Sequence, residues 1–566
     1  MKGTLLACRA IINGTKPLFL SATLAILSAT AVAGESTSIC LDMSRLESDE
    51  TQSRWLPQKD YFYGREAADA FLEDRTVLLF RGTQPYAVPR TIDWNADPFQ
   101  HSTWRLFFNS LGWIYAPLYS YVADGNEEAG IVAKAALLDW IRAQLAQSPT
   151  ESDIKWNDQA AAFRLANFGE FERLLSPLLS ADERHLLRSS IEQHVAFLEE
   201  LFGNPRFYGN NHGFMDAMAV YSAGTEHQVE AWMQSGRGRL EALFREMFVE
   251  GVSIEQAFGY QTYKIQLMHE ANCFAILNGH APIETFSSTS REALEFISLV
   301  SYADLTLPAM GDTYFRMPIG SMRRYLNDTT ASPITKYIWS DGKEGKAPPI
   351  VNVRSKGGYG VFWPNKDTRL VFDFSPAASG HNHNDGLNFT LFAKGEELIV
   401  DSAGPYAYGS GLRASYFNAS LAHNVIVVNG EDRSGAARLI GYGETPSPWI
   451  QAETMLTNTK HIRKITMISP ESITIRDDIE SPENNDYELI FHLPPKAEIH
   501  LGEKTLISVG DATFVITVKA GDDSLAPTIG EGFVTPYTLE LKSAPVLKYK
   551  KSSTDASIIT AIEILQ

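Results

Sequence analysis

The period of the apolar residues changes once along this chain, near residue 340, and no single layer of structure satisfies both halves. From 34 to 340 the spacing is helical. Ile131, Ala135, Leu138, Ile141 and Leu145 recur at helix intervals, and Ser180-Ala181-Asp182-Glu183 reads as a capping box opening a helix through Leu187, Ile191, Val195 and Leu198. Gly203 and Pro205 stop that helix. Asp124-Gly125, Ser176-Pro177 and Gly279-His280 are short turn signals between helical segments, which predicts antiparallel hairpins of helices rather than a parallel α/β layout. The helical run gives out around Pro308-Ala309-Met310-Gly311-Asp312, and the polar stretch Ser340 to Lys356 reads as a linker. From 341 to 566 short alternating segments dominate: YGVFW, RLVFDFS, LNFTLF, ELIVDS, NVIVVNG, SITIRDDI, YELIFHL and TFVITV. Their density predicts an antiparallel β-sandwich. The class is therefore α+β and multidomain.

Met1 to Ala33 carries Lys2, Arg9 and Lys16 before PLFLSATLAILSATAVA and an Ala31-Val32-Ala33 end, the pattern of a secretory signal peptide. Export to a bacterial periplasm or beyond is the expectation. Cys8 has too little hydrophobic sequence before it to act as a lipid anchor, and no later stretch has the roughly twenty apolar residues of a membrane span. Without the leader only Cys40 and Cys273 remain, which allows one bridge and no disulfide framework. The formal charge of −19 includes the three leader cations, leaving about −22, and argues against a nucleic-acid partner. A polyanionic ligand would have to be gripped by a local basic cleft.

Candidate chemistry concentrates in Ser379-Gly380-His381-Asn382-His383-Asn384-Asp385-Gly386, followed by Asp401 in LIVDSAGPYAYG and His423 in LAHNVIVVNG. On a strand, His381 and His383 would share one face, and Lys394-Gly395 reads as the hairpin turn back toward Asp401. His383, Asp401 and His423 then form a His/Asp/His set suited to one structural divalent metal of the zinc type, with His381 left facing a cleft. The competing interpretation is a hydrogen-bonded corner rich in histidine. A second stretch, Asn210-Asn211-His212-Gly213, stands where an apolar helix resumes, and Tyr260 follows in Glu250-Gly251-Val252-Ser253-Ile254-Glu255-Gln256-Ala257-Phe258-Gly259-Tyr260-Gln261. Taken singly, the asparagines are ordinary helix caps and the tyrosine an ordinary packed aromatic.

The run from HNHNDG through GEELIVDSAGPYAY to LAHNVIVVNG resembles the carboxy-terminal signature of the heparinase II/III-like polysaccharide lyases, which include heparin, heparan sulfate and alginate lyases. The segments from Ile92 to Asn109 and from Trp156 to Phe168 are similar to parts of that family's helical domain, and Asn211-His212 with Tyr260 resembles its catalytic half. The resemblance implies that the helical hairpins close into an (α/α) toroid. It also implies β-elimination on a uronic-acid polysaccharide, glycosaminoglycan or alginate-like. One departure is Gln261, where many relatives carry a histidine; it bears on substrate identity more than on reaction type.

In such an elimination a base takes the proton on carbon 5, an acid protonates the departing oxygen on carbon 4, and donors stabilise the charge that develops beside the carboxylate. Asn211 and His381 suit the donor task, Tyr260 the acid, and either His212 or Tyr260 the base. Asn210, Arg164 and Arg413 are candidates for binding substrate, the two arginines because a guanidinium fork matches carboxylate or sulfate; a structural ion pair is the equal alternative for each arginine. Two other classes stay open. A glycoside hydrolase would draw a carboxylate pair from Asp158, Glu255 and Asp312, and a non-catalytic polysaccharide-binding protein would need neither acid nor base.

Overall fold

The computed structural model describes Cys40 and residues 45–565, apart from 49–51, 81–82, 146–148, 151–152, 329, 377–379, 403, 433–435 and 503. The expected leader, Cys8 and Ser379 lie outside the described residues.

Helices fill the first half: α1 (Arg65–Asp74), α2 (Ser102–Asn109), α3 (Tyr115–Asp124), α4 (Glu127–Leu145), α5 (Asp158–Leu175), α6 (Ala181–Leu201), α7 (Asn211–His227), α8 (Glu230–Glu246), α9 (Phe258–Leu277), α10 (Phe286–Val300) and the short α11 (Pro333–Trp339). Neighbours in sequence pack side by side, as in α5 on α6, α7 on α8 and α9 on α10. The capping box at Ser180 and Glu183 is present, and Leu187, Ile191, Val195 and Leu198 are all buried. In α4 Leu138 and Ile141 of the expected stripe are buried, but Ile131 and Ala135 are exposed. Ile131 is 54% exposed, while Ala133, Leu137, Trp140 and Ile141 face the core. The large Trp140 indole sets the rotation of that helix, because it removes more apolar surface from water than Ile131 would. Among the described residues no helix is long and apolar enough to cross a membrane.

Strands β1 (Val351–Arg354), β2 (Tyr359–Phe362), β3 (Arg369–Asp373), β4 (Phe389–Ala393) and β5 (Glu396–Ile399) form an antiparallel meander. The turn between β4 and β5 is Lys394-Gly395, both at positive φ (55° and 80°), the geometry a two-residue hairpin demands. Next, β6 (Ile426–Val428) joins Asn485–His492 in a four-stranded sheet, while β7 (Arg438–Gly443), β8 (Trp449–Leu456), β9 (Thr459–Ser469) and β10 (Ser472–Glu480) begin a nine-stranded sheet. Along β8 and β9 every second residue is buried, as expected of a sheet with one covered face. β3 and β4 are instead buried at every position. Their sheet is the middle layer: Tyr359, Val361 and Val371 join the helical core, and Phe362, Leu370 and Phe372 join the sandwich core with Ile450 and Ile465.

Two further ties fix the halves. The Tyr302 hydroxyl, just past α10, donates to the Glu397 carboxylate and accepts from the Thr390 hydroxyl on the middle sheet, both at 3.0 Å. Cys40 and Cys273 are disulfide-bonded, fastening the start of the described chain to α9.

Candidate active site

The turn before α7 is shaped by Gly209, whose φ is +64° and where a β-carbon would lie 2.7 Å from the Glu246 carbonyl oxygen; no other residue fits. Asn210 caps the helix. Its Oδ1 accepts from the Gly213 amide at 3.0 Å, and its Nδ2 donates to the Arg206 carbonyl at 2.7 Å, so its expected substrate contact is corrected to a capping role. Asn211 and His212 are the first two residues of the helix. The Asn211 amide has no hydrogen-bond partner among the described residues and is available to a ligand. His212 Nδ1 lies 2.5 Å from Oδ2 of Asp158, a fully buried carboxylate at the start of α5. That contact holds the proton on Nδ1 and leaves Nε2 as the basic nitrogen.

Tyr260 stands in the first turn of α9, and its ring stacks on that of His381 with centroids 3.6 Å apart and planes 17° from parallel. The helical half and the sandwich therefore meet in one place. Burial, with the Asp312 and Glu255 carboxylates nearby, pushes the Tyr260 phenol well above its ordinary value; its hydroxyl lies within hydrogen-bond distance of the Tyr408 hydroxyl, 3.0 Å away. The phenol stays protonated, as an acid must. One turn further along α9, buried Lys264 donates to the Gly209 carbonyl at 2.8 Å and pairs with Glu255 at 2.6 Å, and Glu255 lies 3.6 Å from His381 Nε2. Lys264 thus ties the turn carrying Asn211 and His212 to the residues around Tyr260 and His381.

The residue at the centre of this network is Asp312. Its buried carboxylate accepts from His381 Nδ1 (2.6 Å), His383 Nε2 (3.0 Å), Arg413 (2.7 Å) and the Tyr408 hydroxyl (3.1 Å). Burial would raise its pKa, but hydrogen bonds from the two histidines and the Arg413 charge hold it well below the carboxylate range. Its backbone amide also donates to the His381 carbonyl at 3.0 Å, and Gly311, at φ +59°, lets the two loops approach: a β-carbon there would lie 2.9 Å from that same oxygen. These contacts correct three expectations. His381 and His383 do not sit on a strand; they lie in the loop between β3 and β4, held by Asp312 from the helical half instead of by a ladder. Arg413 is spent on Asp312, so the structural ion pair prevails over a substrate contact. Arg164 is fully buried, donating to His194 Nε2 and the Asn109 carbonyl with its guanidinium 4.0 Å over Trp140, and cannot reach a saccharide.

Behind this network lies a second polar cluster. Asp385, Asp401 and His423, all buried, bring one ligand atom each within 4.8 Å of the others. The expected set had His383 where the structure places Asp385; His383 turns Nε2 to Asp312, while its ring stays 5.5 Å from that of His423. The chemistry fits a divalent cation. Both Asp385 oxygens, His423 Nε2 and His383 Nδ1 are buried without a partner, and His423 Nδ1 is already engaged by Asp401 at 3.0 Å. Burial together with the Asp373 carboxylate forces the Asp385 pKa well above normal, the mark of negative groups gathered without a counter-charge.

Tyr408, Asp158 and Asp312 complete the network around the candidate residues, a part the sequence alone did not give them. Tyr408 lay in the quoted GPYAYG run, and both carboxylates had been nominated, with Glu255, as a hydrolytic pair. All three carboxylates are instead engaged with cationic or imidazole groups.

A sequence profile of the heparinase II/III-like C-terminal family matches residues 348–538, the segment that supplies His381, Asp385, Asp401, Tyr408 and His423. That match covers most of the sandwich domain and makes it similar to the heparinase II/III-like C-terminal domain. A curated relative, the heparin-sulfate lyase of Pedobacter heparinus, is 22% identical over 393 residues, covering 65% of this chain and 58% of its own length. The chain thus spans less than two thirds of that relative. Among solved structures, a heparinase III is similar at a TM-score of 0.76 with 16% identity, over 96% of this chain and 91% of its own. A mutant heparan sulfate lyase from Pedobacter heparinus gives 0.69 with 18% identity, over 96% and 90%. The likeness shows the fold: an (α/α) toroid of helical hairpins followed by an antiparallel β-sandwich, with the heparinase II/III-like domain as the second part.

Proposed function

We propose that this protein is a polysaccharide lyase that cleaves a uronic-acid-containing polymer by β-elimination. The observation that carries the reading is the stack of the protonated Tyr260 phenol on His381, with His381 tied directly, and Tyr260 through the Tyr408 hydroxyl, to one buried carboxylate, Asp312. His212, oriented by Asp158, takes the proton from carbon 5. Asn211 and His381 donate to the sugar carboxylate as charge builds on it. Tyr260 gives its proton to the departing oxygen as the bond to carbon 4 breaks and the carbon 4–carbon 5 double bond forms. The relatives whose names specify heparin or heparan sulfate make glycosaminoglycans the first class to test, with alginate next.

Around the catalytic residues the cations are already neutralised, Arg413 by Asp312 and Lys264 by Glu255. That pairing supports a cleaved unit recognised by its carboxylate rather than by dense sulfation. The cluster of Asp385, Asp401 and His423, with His383 beside it, would hold one divalent cation, and its nitrogen and oxygen donors favour zinc. Such an ion would supply no acid or base; it would pin the loop that presents His381. The leader sequence and the bond between Cys40 and Cys273 support export to an oxidising compartment. Mass analysis of products from heparan sulfate, chondroitin sulfate, hyaluronan and alginate tests the proposal: elimination fragments are lighter by one water than hydrolytic ones, and hydrolytic masses would reject it.

A further inference from the structure

A groove of about 750 Å3 runs along α4, away from every residue assigned above. Arg75, Arg90 and Arg142 line it, together with Glu128 and Asp139. Nearby arginines have found carboxylates, Arg65 with Asp124 at 2.7 Å and Arg105 with Asp97 at 3.3 Å. Among the described residues Arg75, Arg90 and Arg142 form no ion pair, although two carboxylates share their groove. Asp139 accepts instead from the Trp94 indole at 2.9 Å. Arg75 is held in place, at φ +62° after the end of α1, with Nε donating to the Val88 carbonyl at 2.8 Å. Burial and the neighbouring Arg90 charge pull its pKa down. Three arginines without a carboxylate partner, one of them held in place, make the groove a receptor for an anion.

We propose that this groove is a second saccharide-binding site, taking the carboxylate or sulfate groups of an acidic glycan chain outside the catalytic cleft. Carboxylates among the arginines suit a sugar, whose hydroxyls donate to Glu128 and Asp139, better than a continuous phosphate track. A chain of contacts inside the protein runs from the groove wall toward His212. Trp94, bonded to Asp139, is followed by Asn95, which accepts from Lys155 at 2.7 Å; three residues on is Asp158, which holds His212. The proposal rests on the lyase reading only for the choice of substrate.

The test is the double variant Arg90→Ala with Arg142→Ala, both exposed, compared with wild type on long chains and on a tetrasaccharide of the same polymer. KM for the long chain should rise about fivefold with kcat unchanged, and the tetrasaccharide constants should not move. Loss confined to heparan sulfate assigns the groove to sulfate, and equal loss on alginate assigns it to carboxylate. Unchanged KM on long chains, or equal losses on both lengths, overturns the proposal. If wild type cleaves nothing, the lyase reading fails by itself, and the groove is judged by retardation in gels containing the polymer. Weaker retardation of the variant sustains it, and equal retardation overturns it.

Discussion

At the scale of the residue, the chemistry depends on which proton sits on which atom. Tyr260 keeps its proton because its phenol is buried beside two carboxylates. Tyr260→Phe removes only that hydroxyl and its contact with Tyr408, so turnover should fall by about 10²–10⁴-fold while the melting temperature stays close to wild type; near-normal turnover would remove Tyr260 from the reaction. Asp312→Asn leaves an amide facing two histidines, an arginine and a phenol that all donate to the present carboxylate. Breaking a buried charge cluster of this kind should cost about 3–5 kcal/mol of stability in denaturant titration, with kcat reduced as well. The sequence displayed Asp158, Glu255 and Asp312 as carboxylates without showing their partners. Asp158 and Asp312 meet groups 54 to 101 residues away, and Glu255, in the loop before α9, meets Lys264 on that helix and lies near His381 in the other half, and spacing carries no signal for such contacts.

At the scale of the element, local rules predicted what local rules govern. The capping box of α6 and the Lys394-Gly395 turn depend on neighbours within four residues, and both are present. The loop holding His381 and His383 was misread as strand because its conformation is imposed by Asp312 from the other domain. The sheet behind that loop is anchored by Arg463 on β9, which donates to the Leu387 and Asn424 carbonyls at 2.7 and 2.6 Å, beside Asp385 and His423, and pairs with Asp477 on β10. Burial would raise the Asp477 pKa, but the Arg463 charge and a hydrogen bond from His461 bring it down to about 2. A depressed carboxylate stabilises the fold above its unfolded pKa and loses that contribution as pH falls through the folded value. Unfolding measured between pH 5 and pH 2 should therefore show wild type losing about 2 kcal/mol from this group. Asp477→Asn should lack that component, and parallel pH profiles for the two proteins would contradict the assignment.

At the scale of the whole molecule, two lobes of unlike architecture each hold half of a site, and the ties between them bear on activity. The helical character of the first half and the strand character of the second were legible from periodicity; their mutual docking was not, because it depends on the middle sheet sharing both cores. Reducing the Cys40–Cys273 bond, or Cys273→Ser, should lower stability by about 2–5 kcal/mol, read as a drop in melting temperature. Chelation, His383→Ala and His423→Ala should each lower metal content and melting temperature together, and unchanged values in those variants would remove the proposed metal site. The most direct test of the elimination itself is to follow ultraviolet absorbance and new reducing ends in parallel during digestion of a uronic-acid polymer. Wild type should give one unsaturated end for every chain broken, and Tyr260→Phe should slow both signals together by about 10²–10⁴-fold. Reducing ends that accumulate without absorbance would contradict it.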